Sequence, residues 1–203
     1  MGLRLLTVWI AAVCCMHADE GMWLFNNFPK ELVAKRYGYQ VTDAFLDHLR
    51  LSSVRFNNGG SGSFVSSRGL LFTNHHVGSE CIQKLSSAEH DYMANGFLAE
   101  TEAAERQCPD LEVNVLLQIE DVTSRVKGAA APGAAAAQAN EQRKAEITRI
   151  ESECTAKTGN RCDVVTLYSG GEYHLYQYKK YTDIRLVFAP EVDIAAFGGD
   201  PDN

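Results

Sequence analysis

Residues 60–77, Gly-Ser-Gly-Ser-Phe-Val-Ser-Ser-Arg-Gly-Leu-Leu-Phe-Thr-Asn-His-His-Val, constrain this chain more than any other stretch. Ser63-Phe64-Val65 and Leu70-Leu71-Phe72 are short β-forming runs, and Ser67-Arg68-Gly69 between them supplies a glycine where the chain must reverse. The pattern predicts two strands joined by a tight turn, the second ending at His75-His76. A strand end is a rigid mount from which an imidazole can face a cleft. On residue type alone the histidine pair could instead be metal ligands or polar residues leaving a core. Zinc is disfavoured: adjacent histidines do not readily converge on one ion, and neither HExxH nor paired CxxC occurs. No metal site and no cofactor is expected.

The first 18 residues carry Arg4, then an apolar run over 5–15, then Met16-His17-Ala18 ahead of Asp19-Glu20. That order is a secretory signal peptide, with a lipoprotein signal at Ala11-Ala12-Val13-Cys14 as a poorer alternative because Val precedes the cysteine. The apolar run is too short for a stable span and no later segment approaches 18 apolar residues, so a periplasmic or secreted chain without a membrane anchor is expected. The formal charge of −7 and the absence of clustered Lys and Arg leave no electrostatic footprint for nucleic acid. With the signal removed, Cys81, Cys108, Cys154 and Cys162 remain. An even number in an exported chain favours disulfides over four free thiols. Cys154 and Cys162 flank a short turn and are expected to pair, leaving Cys81 with Cys108.

Helices are expected over 29–36 and 42–51, and a third from the capping-box pattern at Ser86 to a stop at Gly96. Residues 111–120 alternate apolar and polar side chains and predict a half-buried strand. The Ala-rich stretch 128–139 leads into a helical pattern over 140–157, so a helical excursion is expected at 128–160. Residues 163–168 and 172–179 predict a hairpin around Ser169-Gly170-Gly171, and 184–188 a further strand. Ser-Gly-Gly also follows the nucleophile in trypsin-like enzymes, but Leu167-Tyr168 before it suits a strand end better than an oxyanion loop. Ser169 is therefore assigned to a turn.

Gly-Ser-Gly-Ser-Phe-Val followed by Gly-Leu-Leu-Phe-Thr-Asn-His-His-Val resembles the segment around the catalytic histidine of trypsin-fold peptidases, HtrA-type proteases included. In that pattern the histidine before the Val is the base, which selects His76 over His75. Asp19 to Trp23, Glu89-His90-Asp91-Tyr92, Asn95-Gly96-Phe97, Tyr181 to Val187, and Phe197-Gly198-Gly199-Asp200-Pro201-Asp202-Asn203 extend the likeness. Together they resemble the bacterial dipeptidyl peptidase seven and eleven family of secreted serine exopeptidases, over nearly all of 19–203 and most weakly at 128–161. The resemblance implies a mainly β fold with helical insertions, a trypsin-like double β-barrel of which the first barrel and part of an added helical region are present. It implies release of dipeptides from oligopeptides with a free N-terminus, His76 as general base, and Asn203 gripping the substrate's α-amino group. An ammonium held by an amide oxygen at a fixed distance from the nucleophile measures out two residues. The catalytic Asp and Ser are expected beyond residue 203, so the chain is read as an inactive N-terminal piece, with a homodimer left open. Asp183, Asp200 and Asp202 are weaker candidates for the orienting acid. Val77 departs from relatives that carry a Cys there. An HtrA-type endopeptidase and a non-catalytic trypsin-fold binding module are the alternatives.

Overall fold

The computed structural model describes residues 22–195, which divide into two compact units between Thr42 and Asp43. Residues 1–21, which include the expected signal segment, and residues 196–203, with Asn203, Asp200 and Asp202, lie outside the described residues. In the smaller unit, helix α1 (Lys30–Tyr37) carries Glu31 in its first turn and Lys35 and Arg36 in its last, the charge order the helix dipole favours.

The larger unit opens with α2 (Asp43–Ser52), followed by β1 (Ser53–Phe56), β2 (Ser61–Phe64), β3 (Leu71–Thr73) and α3 (His75–Leu85). Next come α4 (Tyr92–Asn95), β4 (Phe97–Leu98), β5 (Arg106–Gln107) and β6 (Val113–Asp121). Helices α5 (Thr123–Gly128) and α6 (Ala136–Thr158) lead to β7 (Arg161–Leu167) and β8 (Glu172–Tyr181). Short β9 (Arg185–Leu186), β10 (Phe188–Ala189) and α7 (Val192–Ala195) complete the described chain.

Six strands form one sheet in the order β3-β2-β1-β6-β8-β7, antiparallel at every pairing. The expected hairpin forms between β2 and β3, with Gly69 at φ 88° in the turn. The alternation at 111–120 buries Val113 and Val115 in one core with Val54, Phe56 and Val77, against which Leu111 and Leu117 pack. A bulge then shifts the β6–β8 register between Leu116 and Gln118. Arg50 from α2 donates to the carbonyls of both Leu116 and Leu117, so the irregular backbone keeps partners.

A second core holds Val122, Val126, Ile150, Cys162 and Leu175. The helix formed within the expected excursion lays Ile150 and Ile147 of α6 into that core, while Arg125 and Arg149 pair with Glu146. The Arg149 and Arg125 guanidiniums hold the Glu146 carboxyl below the usual range. Cys154–Cys162 fastens the end of α6 to β7, and Cys81–Cys108 ties α3 to the segment before β6. Replacing Cys154 and Cys162 by Ser is expected to lower unfolding free energy by about 2–3 kcal/mol, because the bridge shortens the unfolded ensemble of a small loop. A urea midpoint unchanged in the double variant would count against that bridge.

One expectation changes, and the expected barrel has no closed counterpart among the described residues: the sheet is open, and β3 and β7 are its edges. At the β7 edge the Val164 N–H donates to the Glu151 carboxylate of α6 at 2.8 Å, so this edge group has a partner other than a strand. The helix expected from Ser86 starts instead after Asp91, whose carboxylate caps Ala94 N–H at 3.0 Å. Ser86 is already engaged in ending α3, its hydroxyl donating to Ile82 C=O at 2.9 Å and accepting from Tyr92 N–H.

Candidate active site

Where β3 ends, Asn74 is still extended and its carbonyl accepts the N–H groups of Val77 and Gly78, so the helix begins at once. His75 and His76 are therefore its first two residues. Successive helical residues point about 100° apart, so the two imidazoles take different directions. His76 is exposed. His75 is half-buried and lines a cleft of about 1700 Å³, walled also by Phe64, Leu71, Leu117, Tyr181 and Phe188. Its Nε2 is buried without a hydrogen-bond partner among the described residues. A smaller pocket of about 360 Å³, over residues 107–112 and Thr182, contains no histidine.

The helix bearing these imidazoles is held from several sides. Val77 is buried in the first core. Cys81 is bonded to Cys108, and Lys84 lies 2.8 Å from Glu80 and 3.4 Å from Asp110. The Thr73 hydroxyl donates to Ser61 C=O at 2.7 Å, fixing the end of β3 on β2. At the cleft wall Phe64 and Tyr181 meet edge to face at 6.4 Å. Arg68 of the β2–β3 turn pairs with Glu102, a surface ion pair of small net worth.

Among the described residues neither His75 nor His76 has a carboxylate partner. Asp183, a candidate orienting acid, lines the cleft but is engaged by Arg185 at 2.8 and 2.9 Å, which holds its carboxyl below the ordinary range. Ser169 sits in the β7–β8 turn with φ 55°, between Tyr168 at φ 50° and Gly170 at φ 90°. It hangs from the sheet edge opposite to β3, the strand that delivers His76. The buried His174 is on β8, its Nε2 3.2 Å from Glu172, away from the cleft lining. No group of three or more His, Cys, Asp or Glu among the described residues is placed to hold a metal ion, and no described helix is long and apolar enough to cross a membrane.

What residue order did not reveal is the loop over the helix. Asn58 of the Asn57-Asn58-Gly59-Gly60 turn donates to Val77 C=O at 2.9 Å. That this turn leans on α3 is a tertiary fact with no local signal in the sequence.

Comparison with known proteins narrows what this arrangement belongs to. Residues 18–203 match the family model described as Peptidase S46, and the chain belongs to that family. It is 34% identical to dipeptidyl-peptidase 7 of Porphyromonas endodontalis, with all of this chain and 26% of that protein aligned. It is 36% identical to the Asp/Glu-specific dipeptidyl-peptidase of Porphyromonas gingivalis, with all of this chain and 30% of that protein aligned. The crystal structure of Porphyromonas endodontalis DPP11 in complex with substrate superposes with a TM-score of 0.74 at 32% identity, over 91% of this chain and 29% of that one. The same enzyme in complex with the dipeptide Arg-Glu gives 0.71, over 92% and 28%. The chain thus spans between a quarter and a third of the length of these relatives.

Proposed function

We propose that this chain is the N-terminal part of an exported serine dipeptidyl aminopeptidase with a trypsin-like double barrel, in which His76 is the general base. The observation that carries the reading is the placement of His76: an exposed imidazole on the first turn of a helix that β3, a disulfide and a core valine all hold, in a member of the S46 family. The relatives' names describe dipeptidyl peptidases, one of them Asp/Glu-specific. A base needs a nucleophile within hydrogen-bond reach; Ser169 is fixed at the far sheet edge, and it is the family resemblance that assigns the serine and the orienting acid to residues beyond 203.

In the proposed cycle His76 accepts the serine hydroxyl proton as the oxygen attacks the scissile carbonyl, then gives that proton to the leaving amine. Water, activated by the same imidazole, opens the acyl-enzyme and releases the dipeptide. Asn203 would accept hydrogen bonds from the substrate's terminal ammonium and so fix the register of the cut. Two consequences follow for the full-length protein, which is expected in the periplasm or outside the cell. Peptides with free N-termini should be cleaved and their N-acetylated counterparts should be poor substrates. Asn203→Ala should raise KM for free peptides roughly tenfold, the scale of one charge-assisted hydrogen bond. Steady-state kinetics on a matched free and acetylated pair checks both, and internal cleavage of the blocked peptide at the same rate would replace the exopeptidase reading with an endopeptidase one.

A further inference from the structure

The β1–β2 turn lies against the helix that carries His76, and its contacts are specific. Asn58 Nδ2 donates to the carbonyl of Val77, the residue after His76, at 2.9 Å. Gly60 meets the same residue so closely that a Cβ there would lie 2.4 Å from Val77 Cγ1, so glycine is what leaves room for the Val77 side chain against the turn. The turn is itself anchored on the far side. Asn57 Nδ2 donates to Asp110 C=O at 2.8 Å, and its Oδ1 accepts from Glu112 N–H at 3.1 Å. Asp110 and its neighbour Cys108 also grip α3, through Lys84 and the Cys81 disulfide. The helix is thus clasped twice by one connected frame: at its first turn by Asn58 and Gly60, and further along by residues 108–110.

We propose that Asn58 is a positioning residue for the His76 imidazole. The bond to Val77 C=O sets the height and rotation of the first helical turn, and with it the place from which His76 reaches its proton. The inference rests on His76 being the base. Hydrogen bonds on this scale contribute about 1 kcal/mol to stability, whereas a misplacement of about 1 Å in a reacting group can cost about a hundredfold in rate. The consequence of losing Asn58 should therefore be read in turnover rather than in folding.

The test uses the full-length protein with Asn58→Asp, Asn58→Ala and His76→Ala, assayed on a free-N-terminus oligopeptide, with thermal unfolding run in parallel. Asn58 is an exposed turn residue, so both substitutions leave a folded protein. Asn58→Asp keeps the shape but sets a carboxylate against the Val77 carbonyl; Asn58→Ala removes the donor. Both are expected to lower kcat about tenfold with KM unchanged within about twofold. Wild-type kcat in both variants while His76→Ala is inactive would overturn the role of Asn58 and leave the base assignment standing. A rise in KM equal to the fall in kcat, or a loss that simply tracks a lower melting temperature, would likewise overturn it. Activity retained in His76→Ala would remove the base assignment and this inference together.

Discussion

His76→Ala in the full-length protein is expected to lower kcat for dipeptide release by about 10⁴–10⁶-fold, the range over which losing the base of a Ser-His-acid assembly falls. That corresponds to about 5–8 kcal/mol of transition-state stabilisation. The fold should be untouched. His76 is exposed and belongs to neither apolar core, so truncation removes no packing. Its neighbour provides the control: His75 lines the cleft, but the family pattern puts the base at the histidine before Val77, so His75→Ala is expected to retain most of the activity. Ser169→Ala should also retain it, because that hydroxyl lies in a turn at the opposite sheet edge. Progress curves on one peptide for the three variants, with melting temperatures alongside, separate the cases. A fully active His76→Ala would refute the assignment of the base. An inactive His75→Ala with unchanged melting would transfer the role to the imidazole in the cleft.

The parts of this arrangement that depend on local patterns are legible in the sequence. The β2–β3 hairpin follows from two apolar runs around a glycine turn, and β6 from the alternation of Val113, Val115 and Leu117. The Cys154–Cys162 pair follows from its spacing, with Cys81–Cys108 as the remaining pair. What is not legible depends on how elements meet. Ser86 to Glu89 has the composition of a helix start, but Ser86 is spent on ending the preceding helix, and two uses of one hydroxyl cannot be told apart from order alone. The helical pattern over 140–157 is legible, but its docking of Ile147 and Ile150 against Cys162 and Leu175 has no local signal. The cover over the β7 edge is likewise tertiary: the Val164 N–H donates to a glutamate of α6. The divergence of His75 and His76 turns on the helix starting one residue after Asn74, a boundary that residue type does not specify.

Phe56→Ala is expected to cost about 3–5 kcal/mol of stability, the scale for removing a buried aromatic ring where the surroundings cannot fully collapse. Phe56 is 2% exposed and stands in β1, which pairs with β2 on one side and β6 on the other. Its ring shares the first core with Val54, Val113, Val115 and Val77. Relaxation into the cavity is resisted on two flanks: β1 is fixed in register with both neighbouring strands, and Cys81–Cys108 holds α3 in place. Urea unfolding of the chain should show a lower midpoint at unchanged slope. A loss below about 1 kcal/mol would mean that the core closes over the gap, as more loosely packed sites do. The functional arm of the same substitution is specific to this fold. Val77 is the residue through which the first turn of α3 seats on the sheet, and it follows His76 directly. Where Phe56→Ala leaves the protein folded at the assay temperature, kcat should fall more than KM rises, since the cavity lets the turn bearing His76 shift relative to the sheet. Phe56→Leu, which keeps most of the apolar volume, should recover both stability and turnover, tying the position of the base to the packing beneath it.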